Sequence, residues 1–121
     1  MATQIGTARE IFDHHIKALR TGDLVDILSD YAEDSVIIGP DGVVKGRQAI
    51  GALFQGFLSS LLKPGTYDLQ VDVEHVQDEI VYVLWHAKCV PADVVFAADT
   101  FVIRDGKIAV HTFAPKLEPH N

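Results

Sequence analysis

Few residues of this chain could do chemistry, and Asp99 is the least expected of them. It lies in Val94-Val95-Phe96-Ala97-Ala98-Asp99-Thr100-Phe101-Val102-Ile103, which otherwise reads as a strand buried on both faces. An ionised carboxylate there must be paired, hydrogen-bonded or kept protonated. Three histidines could answer it. His15 sits between Phe12 and Leu19 on the apolar face of a helical stretch, either as a core histidine satisfied by one hydrogen bond or as a pocket group. His86 shares a strand face with Tyr82 and Leu84, and a tight turn near Pro91-Ala92 would set it on the strand beside Asp99. Such an Asp–His pair is either an orienting pair, with the imidazole left as acid or base, or a purely structural hydrogen bond. His111 shares the side of Asp99 if the Arg104–Lys107 turn holds an odd number of loop residues. A two-residue Asp105-Gly106 turn would send it to the opposite face, because a one-residue register change flips every side chain. Tyr31 ends the apolar face of a short helix and is expected to offer its hydroxyl to a pocket. His14, well off the buried face of its helix, is expected in solvent, and His75, His120 and Tyr67 at the surface or an edge.

Other chemistries find little support. No compact ligand spacing such as His-x-x-x-His and no cysteine pair is present, so neither a metal nor a cofactor is expected. The lone Cys89 has no partner and no readable activating neighbour, and reads as a small buried hydrophobe. Gly51 and Gly56 within a helical stretch are packing positions, not a phosphate loop, and no serine sits in a nucleophile elbow. The net charge of −7, with dispersed Lys and Arg, argues against nucleic acid and against anionic membrane surfaces. Asp68, Asp72 and Glu74 alternate along one strand as a solvated face. No apolar run is long enough to span a bilayer, and Met1-Ala2-Thr3-Gln4 lacks a basic signal-peptide region, so a cytoplasmic protein is the expectation. The 121 residues are expected to form one domain, residues 1–121, with an unstapled core.

The elements that must position these groups follow from periodicity. Ala8, Phe12, Ile16 and Leu19 give a first helix from about Thr7 to Arg20, with Thr7 and Glu10 at capping-box spacing. Gly22 stops it, and Asp23 caps a second short helix whose apolar face is Leu24, Ile27, Leu28 and Tyr31. Strands are expected at 35–39 and 43–45 around a Pro40-Asp41-Gly42 turn, then a helix over 47–62 ended by Lys63-Pro64-Gly65. Tyr67, Leu69, Val71 and Val73 alternate in a half-wet strand. Residues 80–90 and 94–103 are apolar on both faces, and 108–114 closes the series. This is an α+β pattern: three N-terminal helices on the concave face of a curved, mixed, mostly antiparallel sheet. The other sheet face, with stripes Val83-Trp85-Ala87-Cys89 and Tyr82-Leu84-His86-Lys88 to be shared between the sides, needs cover, which points to a homodimer through that outer face.

Several stretches, in order along the chain, resemble the nuclear transport factor 2-like superfamily, and within it the SnoaL-like and ketosteroid isomerase-like small domains. They are Ala18-Leu19-Arg20-Thr21-Gly22-Asp23-Leu24, Tyr31-Ala32-Glu33-Asp34-Ser35-Val36, Gly46-Arg47-Gln48-Ala49-Ile50, Asp99-Thr100-Phe101 and Asp105-Gly106-Lys107-Ile108. The resemblance implies a cone-shaped α+β barrel enclosing a pocket. It sets Asp99 at the position of a protonated acid that donates to an oxyanion, His15 at that of a tyrosine donor, and Phe54 where some relatives carry a supporting tyrosine. The general-base position falls on Gly39, which has no side chain to act, so steroid isomerisation by the family mechanism is not expected. The resemblance also turns His86 and His111 inward. The lining is expected to be Phe12, Leu28, Tyr31, Phe54, Leu58, Leu84, Ala97, Phe101, His111 and Phe113, with Asp99, His15 and His86 as the acting groups. Two functions follow: an isomerase, lyase or cyclase on a small apolar carbonyl compound, or a non-catalytic ligand-binding or assembly domain.

Overall fold

The structure is a computed structural model that describes residues 7–120; the opening Met1–Gln4 segment lies outside them. Helix α1 (Ala8–Thr21) starts at a complete capping box, with Thr7 accepting from the Glu10 N–H and Glu10 reaching back to the Thr7 N–H. Helix α2 (Leu24–Leu28) is capped by Asp23. Strands β1 (Tyr31–Gly39) and β2 (Gly42–Lys45) form a hairpin, followed by α3 (Arg47–Leu58). Four long strands complete the chain: β3 (Asp68–Gln77), β4 (Ile80–Lys88), β5 (Ala92–Arg104) and β6 (Lys107–Pro119). The six strands form one sheet in the order β2-β1-β6-β5-β4-β3, antiparallel except for the β1–β6 pair. Helix α1 packs on β4 and β5, and α3 on β1 and β2, so the three helices cover one face of a curved mixed sheet, as the sequence predicts. Among the described residues no helix is long and apolar enough to cross a membrane.

Three differences from the sequence reading have physical causes. The helix expected to end at Tyr31 stops at Leu28, and Tyr31 opens β1 instead. Tyr31 pairs with Ile108 of β6, but the next paired residue is Val36 with Val110, so the segment between them bulges. Ser35 holds that bulge: its buried hydroxyl accepts from the Ala32 N–H at 2.8 Å and donates to the Ile108 carbonyl at 2.6 Å. Arg47, at the start of α3, donates twice to the Tyr31 carbonyl, from Nε at 3.1 Å and Nη2 at 2.6 Å. These long-range contacts override a helical apolar period.

Second, α3 ends at Leu58 and leaves 59–62 as turns, with the Leu62 N–H bonded to the Phe57 carbonyl. Helices α2 and α3 come close at Gly51, where an added Cβ would meet Leu28 Cδ1 at 3.1 Å. Third, β6 runs on past Ala114 to Pro119 despite Pro115 and Pro119. Beyond Thr112 it has no β1 partner, so one side of the strand is an edge and a proline without an N–H breaks no ladder bond.

The β5–β6 turn decides where His111 points. Arg104 pairs with Lys107 across a two-residue Asp105-Gly106 turn, both residues at positive φ (51° and 74°) as a tight hairpin demands. By itself that turn would carry His111 to the far face. The register then shifts by one: Ile103 faces Ile108, but Val102 faces Val110, leaving Ala109 as an extra residue. Phe101 therefore faces His111, and Asp99 faces Phe113. A bulge restores the parity that the turn alone would have lost.

Replacing Ser35 with alanine takes the hydroxyl from a half-buried N–H and a buried C=O at the β1 bulge. We expect a loss of about 1–3 kcal/mol in urea unfolding. An unchanged midpoint would show that the hydroxyl does not hold the bulge.

Candidate functional site

Helices and sheet enclose a cavity of about 480 Å³. Its walls are largely apolar. Phe12, Ile16 and Leu19 come from α1, Phe54 and Phe57 from α3, and Val83, Trp85, Phe101 and Phe113 from the sheet. The ionisable side chains among its lining residues are His15, Asp41, Asp99 and His111. A mostly apolar cavity with few convergent polar groups is the usual form of a small-molecule site.

Asp99 and His111 are joined. His111 Nε2 lies 2.6 Å from Asp99 Oδ2, Trp85 Nε1 donates to Asp99 Oδ1 at 2.9 Å, and the Tyr31 hydroxyl lies 3.0 Å from His111 Nδ1. His111 and Asp99 are diagonal neighbours across β5 and β6, a spacing that long side chains span. Trp85 is a donor only. The assignment that uses every proton has the Tyr31 O–H donate to Nδ1 and the Nε2–H donate to Oδ2. Asp99 then accepts from two protein donors, a different use of the carboxyl from the neutral donor that the resemblance implies. The His111 ring also stacks on Phe101, with centroids 4.1 Å apart.

His15 stands apart from this chain. Its ring is 3% exposed and packs against Phe101, Phe54, Tyr31 and His111 at centroid distances of 5.3 to 6.0 Å. Nδ1 is buried with no hydrogen-bond partner. A buried polar atom without a partner is uncommon. Burial pushes the imidazole pKa down to about 3, with the nearby His111 and His14 adding to the shift. His15 is therefore neutral at physiological pH, able to donate one N–H but a weak base.

Several expected placements are corrected. His86 does not meet Asp99. Val83 faces Asp99 directly across β4 and β5, so odd-numbered residues of β4 point inward there and His86 points out. His86 instead bonds Asp72 at 2.8 Å on the other side of the sheet. Leu84 is turned away from the cavity by the same parity, and Trp85 takes the inward place. Tyr31 is fully buried and gives its hydroxyl to His111, not to the cavity. Leu28, Leu58 and Ala97 do not line the cavity either, whereas Phe54, Phe101, His111 and Phe113 do. His14 is not free in solvent: it bridges Asp30 Oδ2 at 2.6 Å and Asp26 Oδ1 at 3.0 Å, tying α1 to the end of α2. The hydrogen bond that His14 donates to Asp30 raises its pKa above the ordinary value, and the charges of both carboxylates add to the rise.

Trp85, Asp41 and Arg47 were not singled out from sequence. Trp85 carried a usable signal, since its spacing from Val83 makes the two share a face. Asp41 carried none beyond its place in a turn. Among the described residues no three His, Cys, Asp or Glu side chains converge to hold a metal ion.

A SnoaL-like domain model matches residues 12–111, and the chain belongs to that family. No relative among curated proteins matches the sequence. Solved structures share the fold at low identity. A protein from Kribbella flavida provisionally named a ketosteroid isomerase superposes with a TM-score of 0.75 at 16% identity, covering 94% of this chain and 80% of its own. A provisionally named polyketide cyclase from Sinorhizobium meliloti gives 0.74 at 19%, covering 86% and 93%. An LEH-like epoxide hydrolase from M. tuberculosis gives 0.73 at 13%, covering 90% and 82%. At these identities the likeness concerns the fold.

Because the folded state keeps His15 neutral down to about pH 3 while the unfolded chain binds a proton near 6.5, its effect on stability depends on pH. The contribution is complete above about pH 6.5 and is lost as pH falls toward 3, at up to about 1.4 kcal/mol per pH unit. His14 runs the other way: its raised pKa stabilises below 6.5, and the gain fades as pH rises through the folded value. Urea midpoints measured from pH 4 to 9 should show His15→Phe flattening the acid limb and His14→Gln flattening the alkaline one. An acid limb unchanged in His15→Phe would mean that the ring is not held neutral.

Proposed function

We propose that the cavity binds a small, largely apolar carbonyl compound and moves a proton next to its carbonyl group, as an isomerase, lyase or cyclase does. The observation that carries this reading is the partnerless, neutral His15 in the same cavity wall as a carboxylate braced by Trp85 and His111. In the proposed step Asp99 takes the proton from the carbon beside the carbonyl. The C–H electron pair moves to the carbonyl oxygen, and the His15 N–H donates to the oxyanion that forms. Asp99 then returns the proton to another carbon or to a leaving group. His111 and Tyr31 position the carboxylate. The carbonyl chemistry is supported by the names of two structural neighbours, a ketosteroid isomerase and a polyketide cyclase, both provisional. Gly39 has no side chain to act and Asp41 of the same hairpin is exposed, so of the two lining aspartates Asp99 is the buried one available for the step.

A second reading, a domain that holds a ligand without turning it over, is favoured by one observation. Both oxygens of Asp99 and both nitrogens of His111 are already engaged by protein groups. Exchange of α-protons of 2-tetralone into deuterated water, followed by NMR, separates the two. The enzyme reading expects exchange above the buffer rate, falling by about a hundredfold or more in Asp99→Asn. In His15→Phe it expects a fall of about tenfold, as for loss of one net hydrogen bond. Binding of the ketone with no exchange in the unaltered protein would favour the binder.

We also propose that two copies pair through the outer sheet face. Ile80, Tyr82 and Phe96 support this, being 45%, 41% and 49% exposed. Sedimentation equilibrium should give a dimer that Tyr82→Glu with Phe96→Glu converts to monomer. A monomeric parent protein would end the proposal.

A further inference from the structure

The rim of the cavity differs from its floor. The β1–β2 turn residues Pro40, Asp41 and Gly42 line the cavity and are also exposed to solvent. His15, Asp99 and Phe101 line it from depth, at 3%, 5% and 2% exposure. A residue that is at once exposed and part of the lining stands at an opening, so a ligand entering past this turn passes Asp41. Among the lining residues described, none is lysine or arginine, while two are aspartates. The whole chain carries a net charge of −7.

These facts bear unequally on ligands of different charge. An uncharged carbonyl compound gives up little hydration on entering and gains apolar contact and the His15 N–H. A carboxylate of the same shape would shed its hydration in an apolar cavity that offers no cationic partner, a cost that relaxation and residual water reduce but do not remove. It would also approach the fixed charge of Asp41, which is of like sign. An ammonium ligand would pass Asp41 readily, but the Asp99 oxygens inside already accept from Trp85 and His111. We propose that Asp41 is a specificity-determining residue, which with the cation-free lining restricts this cavity to uncharged carbonyl compounds and rejects their carboxylate counterparts. The inference rests on the reading of the cavity as a ligand site.

Trp85 is the one tryptophan of the chain and lines the cavity, stacked on Phe113 at an interplanar angle of 10°, so its fluorescence reports occupancy. Three non-fluorescent probes share one apolar body and differ in charge: 1-acetyladamantane, 1-adamantanecarboxylate and 1-adamantylmethylammonium. At pH 7.5 and low salt the ketone should bind at least tenfold tighter than the carboxylate and tighter than the ammonium. In Asp41→Asn the carboxylate should gain about threefold or more while the ketone is unchanged, and 0.3 M salt should shrink that gain. Equal affinity for ketone and carboxylate, or tightest binding of the ammonium, in the unaltered protein overturns the inference without any variant. So does an Asp41→Asn protein in which ketone and carboxylate shift alike. Each of those results leaves the ligand-site reading standing, whereas no binding of any of the three would remove that reading and the inference with it.

Discussion

A carboxyl group buried in an apolar sheet must meet donors or cost the fold several kcal/mol, and the architecture around Asp99 is arranged to meet them. Trp85 supplies one N–H from β4 and His111 a second from β6, and Tyr31, at the far side of the imidazole, fixes which nitrogen carries the proton. Trp85 reaches Asp99 from a regular stretch of β4, whereas His111 and Tyr31 each depend on an irregularity. The extra residue at Ala109 turns His111 inward, and the bulge held by Ser35 and Arg47 sets Tyr31 behind it. A regular β5–β6 pairing would have turned His111 away and left the carboxylate with the Trp85 N–H alone. The bulges are therefore part of the site, and the site is part of what stabilises the sheet.

Around this satisfied chain lies a group that is not satisfied. His15 is held on α1 by its helical neighbours and surrounded by aromatic rings, which keep it neutral and offer it nothing to bond. The next residue, His14, faces the opposite situation, paired with two carboxylates outside the cavity and biased toward its charged form. Two adjacent histidines thus have opposite electrostatics, because one step along a helix turns the side chain by about 100° and exchanges an apolar wall for an acidic one.

Much of the fold was legible in the sequence. The capping box at Thr7 and Glu10, the stop at Gly22, the apolar periods of α1 and α3 and the hairpin glycines each specify local structure, and the predicted layering followed from them. The exceptions lie where tertiary contacts outweigh local preference: Tyr31, whose helical spacing to Ile27 and Leu28 gave way to pairing with β6, and the prolines of β6, tolerated on an unpaired edge. In the site, Asp99, His15 and the facing aromatics were legible as anomalies of type against surroundings, a polar residue in an apolar run. His86 was misplaced because its position hangs on one residue of register between β4 and β5.

By itself, the sequence determined which residues had to be explained and the order of helices and strands, since both follow from local chemistry and period. Which histidine reaches Asp99 was decided only by the tertiary structure. Strand faces alternate with a period of two, so a single bulge residue, with no local signature in Ile108-Ala109-Val110, exchanges one set of partners for the other. The same holds for the cavity. Trp85, Asp41 and His15 come from a strand, a turn and a helix far apart in the chain, and only packing sets them around one space.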